Sequence, residues 1–165
     1  MSARRLLYWD TDVFLSYLNG EPQRLPILEA ILDEIEKNKQ DKIVTSVITK
    51  VEISWVAHEK LNRVLDPTEE ERIDSLWNDS AIVEVMEFND EIALIARSLM
   101  REGMINGWKL RTFDAIQIAS AEWVQATELN TYNLTDFKKF ESLIGIPIRN
   151  PYTVQPKLFT DPSSK

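Results

Sequence analysis

Cysteine is absent from the 165 residues, which excludes disulfides and thiolate metal sites. Histidine is nearly absent: His58 is the only one, so a mechanism needing a histidine base has a single candidate, and that one is expected on an outer helix face. No apolar run approaches the roughly 18 residues of a membrane span. No internal repeat, low-complexity tract or linker divides the chain. Residues 1–10 begin with positive charge but meet an acid too soon for a signal peptide, so the expected compartment is the cytoplasm. Basic residues are outnumbered, 19 Lys and Arg against 27 acids, for a net charge of −8. That balance argues against binding nucleic acid by bulk attraction. It leaves open an enzyme acting on nucleic acid, because acids that hold divalent ions add negative charge which the ions offset locally.

What is present is an alternation. Residues 6–9, Leu-Leu-Tyr-Trp, form a short apolar run that stops at Asp10, and a second apolar pattern starts within three residues. A buried parallel strand feeding a helix through a tight turn has this pattern. Residues 13–18 predict a short helix broken near Asn19-Gly20-Glu21-Pro22, after which Leu25, Leu28, Ile31, Leu32 and Ile35 recur at helical spacing. Residues 43–45 read as a second strand. Ser46 is placed to cap one helix running to Leu65, with Ile48, Val51, Trp55 and Val56 as its apolar positions. Proline and acids at 67–71 predict a helix start, 81–85 a third strand, and Ile92 to Leu99 a helix stopping near Gly103. Residues 104–110 read as a loop and 112–126 as a largely buried helix. A short strand at 128–131, a short helix at 136–143 and an edge strand at 147–148 complete the order. The alternation predicts a three-layer α/β/α sandwich around a mainly parallel sheet. Residues 1–149 are expected to form the domain and 150–165 an extended arm with a frayed tail.

Three acids occupy comparable places in this scheme. Asp10 closes the first strand, Glu52 lies about two turns into the helix after the second, and Asp114 lies in the first turn of the buried helix. Ligands of open α/β sheets collect outside the carboxyl ends of the strands. Carboxylates converging there raise one another's pKa values. An ion that prefers oxygen, Mg²⁺ or Mn²⁺, relieves that cost and suits phosphodiester hydrolysis, because it polarises the phosphoryl oxygen and acidifies water. The helix dipole alone also favours acids in a first turn, so an ordinary capping role stays open to each.

Four segments in order resemble the motifs of PIN domains. Leu7-Tyr8-Trp9-Asp10-Thr11-Asp12-Val13-Phe14-Leu15 is similar to the opening motif, and Ser46-Val47-Ile48-Thr49-Lys50-Val51-Glu52 to the second. Arg111-Thr112-Phe113-Asp114-Ala115 and the residues to Ala121 resemble the third, and Asn130-Thr131-Tyr132-Asn133 with Asp136-Phe137 the fourth. The subgroup resembled is the VapC-type toxin ribonucleases of prokaryotic toxin–antitoxin pairs. The resemblance implies a PIN-like fold of about five parallel strands, Mg²⁺- or Mn²⁺-dependent cleavage of RNA, an antitoxin protein as partner, and a homodimer. The stretches 25–35 and 55–65 are amphipathic enough to permit that dimer. It also implies that Asp10, Glu52 and Asp114 hold the metal, with Thr11 and Thr131 beside them as substrate-binding polar residues. Where the family carries a fourth acid, two residues after Thr131, this chain has Asn133, whose amide coordinates without bringing charge. Asp12 and Asp136 are the nearby acids that would supply it.

Trp108, Lys109 and Arg111 stand in the loop before Asp114. The two cations are candidates for phosphate contact, and Trp108 is the one tryptophan expected outside the core. The other four, Trp9, Trp55, Trp77 and Trp123, fall in apolar patterns. Asp10-Thr11-Asp12-Val13 also fits the opening of haloacid-dehalogenase-type phosphatases, whose first Asp is a nucleophile. Thr45 or Ser46 and Lys109 would be its further residues, but no late Gly-Asp-x-x-x-Asp follows. Asn133 and the acidic balance motivate a third reading, a PIN-fold module that binds RNA or protein with little or no catalysis.

Overall fold

The structure, a computed structural model, describes residues 4–153. Its centre is β1 (Leu6–Trp9), flanked by β2 (Lys42–Ser46) and then β3 (Val83–Met86) on one side. On the other side lie β4 (Glu128–Asn130) and β5 (Ile148–Arg149), and every neighbouring pair is parallel. The strand order therefore reverses between β1 and β4, the place where open α/β sheets leave a crevice.

Alternation along each strand sets the layers. Leu7, Trp9 and Ile43 face a core shared with Phe14, Leu28, Ile31 and Ile35. These come from α1 (Thr11–Leu18) and α2 (Leu25–Asn38), and α5 (Pro67–Ser75) adds Ile73. Tyr8, Val44 and Leu129 face the opposite core, built with α6 (Asp90–Asn106) and α7 (Thr112–Trp123). The predicted α/β/α sandwich with five parallel strands is the observed architecture. Among the described residues no helix is long and apolar enough to cross a membrane.

Three local expectations fail, each for a tertiary reason. The helix expected from Ser46 to Leu65 is two short ones, α3 (Ile48–Glu52) and α4 (Ala57–Asn62). Between them Ile53 and Val56 turn inward to 2% and 1% exposure, and the Glu59 carboxylate accepts the Val56 N–H at 3.0 Å, starting a new helix. The helix expected to stop near Gly103 continues to Asn106 and ends at Gly107, which takes the left-handed conformation of a C-cap. Gly103 is a packing glycine: a Cβ there would lie 3.2 Å from the Trp108 carbonyl oxygen. Residues 104–106 of the predicted loop at 104–110 are thus helix, and 108–110 remain a loop.

After β4 come α8 (Leu134–Phe137), a 3₁₀ turn (Lys138–Phe140) and α9 (Glu141–Ile144). Of the expected arm from Asn150, Tyr152 donates to Glu128 Oε2 at 3.2 Å, and residues 154–165 lie outside the described residues.

Candidate active site

A cavity of about 200 Å³ opens beyond the carboxyl ends of β1 and β4. Asp10, Thr11, Asp12, Glu52, Arg111, Asp114 and Asn133, all predicted, line it together with Leu15 and Gln117. Thr131 is fully buried and donates its hydroxyl to Asp10 Oδ2 at 2.8 Å. Asp136 reaches the cavity only through Asn133, whose amide nitrogen donates to Asp136 Oδ2 at 3.1 Å. Lys109 is exposed and does not line it. A larger cavity of about 260 Å³, among residues of α3, α4 and α5, contains none of the predicted residues.

Each acid is held differently. Asp10 immediately follows β1 and caps α1, accepting the Asp12 N–H at 3.1 Å. It is 4% exposed. Its donors include this N–H, the Val13 N–H and the Thr131 hydroxyl, which also lies 3.3 Å from Asp12 Oδ2. Burial, and then the neighbouring Asp12 carboxylate, push the Asp10 pKa well above the ordinary value. Asp12 Oδ1 is fixed by the Tyr132 N–H at 3.1 Å. Glu52, at the end of α3, receives the Thr11 hydroxyl at 2.7 Å and the Gln117 amide at 2.8 Å, both on Oε1. Asp114, in the first turn of α7, is paired with Arg111 through Nε at 2.9 Å and Nη2 at 3.3 Å. Asn133 caps α8, its amide oxygen 3.4 Å from the Asp136 N–H.

In kind, these groups fit a hard divalent cation: oxygen donors, net negative, with one buried carboxylate that has no cationic partner. In position, among the described residues no three acids stand close enough to hold an ion. The Arg111 guanidinium already neutralises Asp114.

The expectation for the tryptophans is partly reversed. Trp108 packs edge-on against Phe140, with ring centroids 5.4 Å apart, and joins the α6–α7 core. Trp55 and Trp123 are instead 47% and 45% exposed. Trp9 is buried, and Trp77 packs on Phe14. His58 is exposed on α4 as expected. Sequence reasoning missed Gln117. Its signal was a single amide in the Ala- and Ile-rich run of α7, one turn after Asp114 and so on the same helix face.

A family model for the PIN domain matches residues 7–142. No curated protein matches the chain. Among solved structures, the fold is similar to that of VapBC2 from Rickettsia felis bound to a DNA fragment from their promoter, with TM-score 0.65 and 17% identity over 88% of this chain and 98% of that one. A toxin–antitoxin complex from Klebsiella pneumoniae gives TM-score 0.57 and 23% identity over 93% and 100% of the two chains. VapC20 of Mycobacterium tuberculosis, a sarcin-ricin-loop-cleaving toxin, gives TM-score 0.57 and 13% identity over 77% and 89%.

Proposed function

We propose that this chain, which belongs to the PIN-domain family, is a metal-dependent endoribonuclease and the toxin of a cytoplasmic toxin–antitoxin pair. The observation that carries the proposal is the cavity at the strand-order reversal, where buried Asp10 meets neutral donors and a second carboxylate. A buried carboxylate without a counter-charge is costly to ionise, and a bound cation would relieve that cost. The likeness to a toxin–antitoxin complex and to an RNA-cleaving toxin supports the RNA substrate and the paired partner.

In this reading Asp10, Glu52 and Asp114 would hold Mg²⁺ or Mn²⁺ once drawn closer together than they stand here, and Asn133 would assist through its amide oxygen. The ion, when bound, supplies Lewis acidity toward the phosphodiester and acidifies water. Thr131 and Thr11 hold Asp10 and Glu52 in place through their hydroxyls. Arg111, released from Asp114, is positioned at the cavity mouth to bind a phosphate of the substrate. Lys109 would contact the backbone farther along. Single-stranded or looped RNA is the substrate class, because its backbone can be splayed into a narrow cleft.

An antitoxin would occlude the acids with a basic side chain that forms charge-assisted hydrogen bonds to Asp10 or Asp12. Exposed Trp55, Leu61, Val64 and Leu65 support a homodimer through the α4 region. The apolar positions of α2 do not, since Leu28, Ile31 and Ile35 are spent in the chain's own core. We place the end of the domain at residue 149, with 150–165 as an arm.

The test is cleavage of a mixed single-stranded RNA in Mg²⁺, Mn²⁺ or EDTA by wild type and Asp114→Ala. Cutting that is lost in EDTA and in the variant is the expected result. Cutting that survives both would refute the assignment. The absence of the fourth acid at Asn133 favours one second reading, a PIN-fold binding module, for which RNA would bind without turnover even in Asn133→Asp.

A further inference from the structure

Resting on the metal-site reading of the cavity, we infer that Gln117 is a positioning residue that fixes Glu52 and its partner Thr11 without cancelling the charge Glu52 offers the ion. Gln117 is 2% exposed, and four side chains from three other elements converge on its amide. Its nitrogen lies 2.8 Å from Glu52 Oε1, 3.0 Å from Thr11 Oγ1 and 3.0 Å from Thr49 Oγ1. Its oxygen accepts the Tyr8 hydroxyl at 2.5 Å.

The direction of every bond in this network follows from its ends. The Tyr8 oxygen already accepts the Ser46 N–H of β2 at 3.1 Å, so the Tyr8 proton goes to Gln117. The Gln117 oxygen is thereby committed to β1, and the NH₂ group must face Glu52, Thr11 and Thr49. On the other branch, Thr45 donates to the Trp9 carbonyl at 2.8 Å and so receives the Thr49 proton, at 2.8 Å. Thr49 is then an acceptor for Gln117. The amide cannot flip without breaking bonds to β1 and α3 together.

The chemistry of the clamp is its point. Asp114 is held by a guanidinium that competes with any incoming cation, whereas Glu52 is held by an amide and a hydroxyl. Neutral donors orient a carboxylate and leave its full charge to the ion. Groups that hold a metal ligand in place typically contribute about 10- to 100-fold to metal affinity or activity.

The experiment is calorimetric titration of Mn²⁺ into wild type, Gln117→Met and Tyr8→Phe, with thermal melting of each metal-free protein and RNA KM at saturating Mn²⁺. Gln117→Met keeps the volume and removes the donors. We expect a Mn²⁺ affinity about 10- to 100-fold weaker, with RNA KM unchanged and a cooperative melt retained. Tyr8→Phe releases the amide oxygen and also takes the acceptor from the Ser46 N–H, while leaving the Gln117 donors in place, and a smaller loss of the same kind is expected. Should Gln117→Met fail to fold, Tyr8→Phe decides. Wild-type affinity in a folded Gln117→Met, or in Tyr8→Phe when it is the deciding variant, overturns the positioning role while leaving the nuclease reading intact. A wild type that takes up no Mn²⁺ overturns both.

Discussion

Asp41 and Asp10 are buried to the same degree, 5% and 4% exposed, at opposite ends of one sheet, and their surroundings treat them oppositely. Asp41 precedes β2 at the amino edge. Burial there would raise its pKa, but the Arg5 N–H, the Asn38 amide and the Arg5 guanidinium at 2.7 Å outweigh burial and hold the carboxyl below its ordinary value. Asp10 follows β1 at the carboxyl edge and has no such cation, only neutral donors and a second carboxylate. Burial alone therefore identifies nothing. Of these two acids, the one whose counter-charge the fold withholds is the one we propose for the metal site. Asp41 ties β1 to β2 and α2; Asp10 is left without a counter-charge among the described residues.

The comparison breaks most visibly in activity. Asp10→Asn should lower RNA cleavage by at least about 100-fold, beyond the usual cost of losing a group that merely supports a metal ligand. Asp41→Asn should leave kcat/KM near wild type. Steady-state cleavage assays at saturating Mn²⁺ check both.

Stability should run the other way. Asp41→Asn should cost roughly 1–3 kcal/mol in urea denaturation, the usual worth of hydrogen bonds to a charged group. Because the folded pKa of Asp41 lies below its unfolded value, near 4, this contribution is fully present above that pH and is lost as the pH falls through the folded pKa. The gap between wild type and Asp41→Asn should therefore narrow in acid. Asp10→Asn removes a buried carboxylate that is costly to ionise beside Asp12, and in EDTA it should raise the melting temperature.

Two smaller effects sharpen the contrast within the cavity. Asn133→Asp keeps the α8 cap and adds charge, but sets a carboxylate beside Asp136. A Mn²⁺ affinity tighter by up to about tenfold, or 1.4 kcal/mol, is expected by calorimetry. Arg111→Ala frees Asp114 from an ion pair whose cationic partner is 70% exposed. Such pairs contribute about 0–1 kcal/mol, so Mn²⁺ binding should tighten by fivefold at most, while RNA KM rises through loss of the phosphate contact.

Much of this was legible in the sequence because the strands are short, apolar and abruptly ended. Leu6 to Trp9 stopping at Asp10 marked a buried parallel strand with an acid at its carboxyl end. What stayed hidden depended on contacts between distant segments. Nothing local to Val51 or Trp55 shows that Ile53 and Val56 will turn into the core and break the helix, leaving both outside. Gly103 looks like a stop until Trp108 is seen to fold back over it. Gln117 reads as one polar residue in a buried helix, and its role emerges only when Tyr8, Thr49 and Glu52, up to 109 positions away, meet around it. The likeness to PIN-domain motifs located the acids, yet motifs do not display the Arg111–Asp114 pair or the contrast between Asp10 and Asp41.

The most direct test of the withheld counter-charge is Mn²⁺ calorimetry on wild type, Asp10→Asn and Asp41→Asn at neutral pH. Saturable uptake by wild type and Asp41→Asn, lost in Asp10→Asn, is the predicted result. Equal uptake by Asp10→Asn, or none by wild type, would contradict the account.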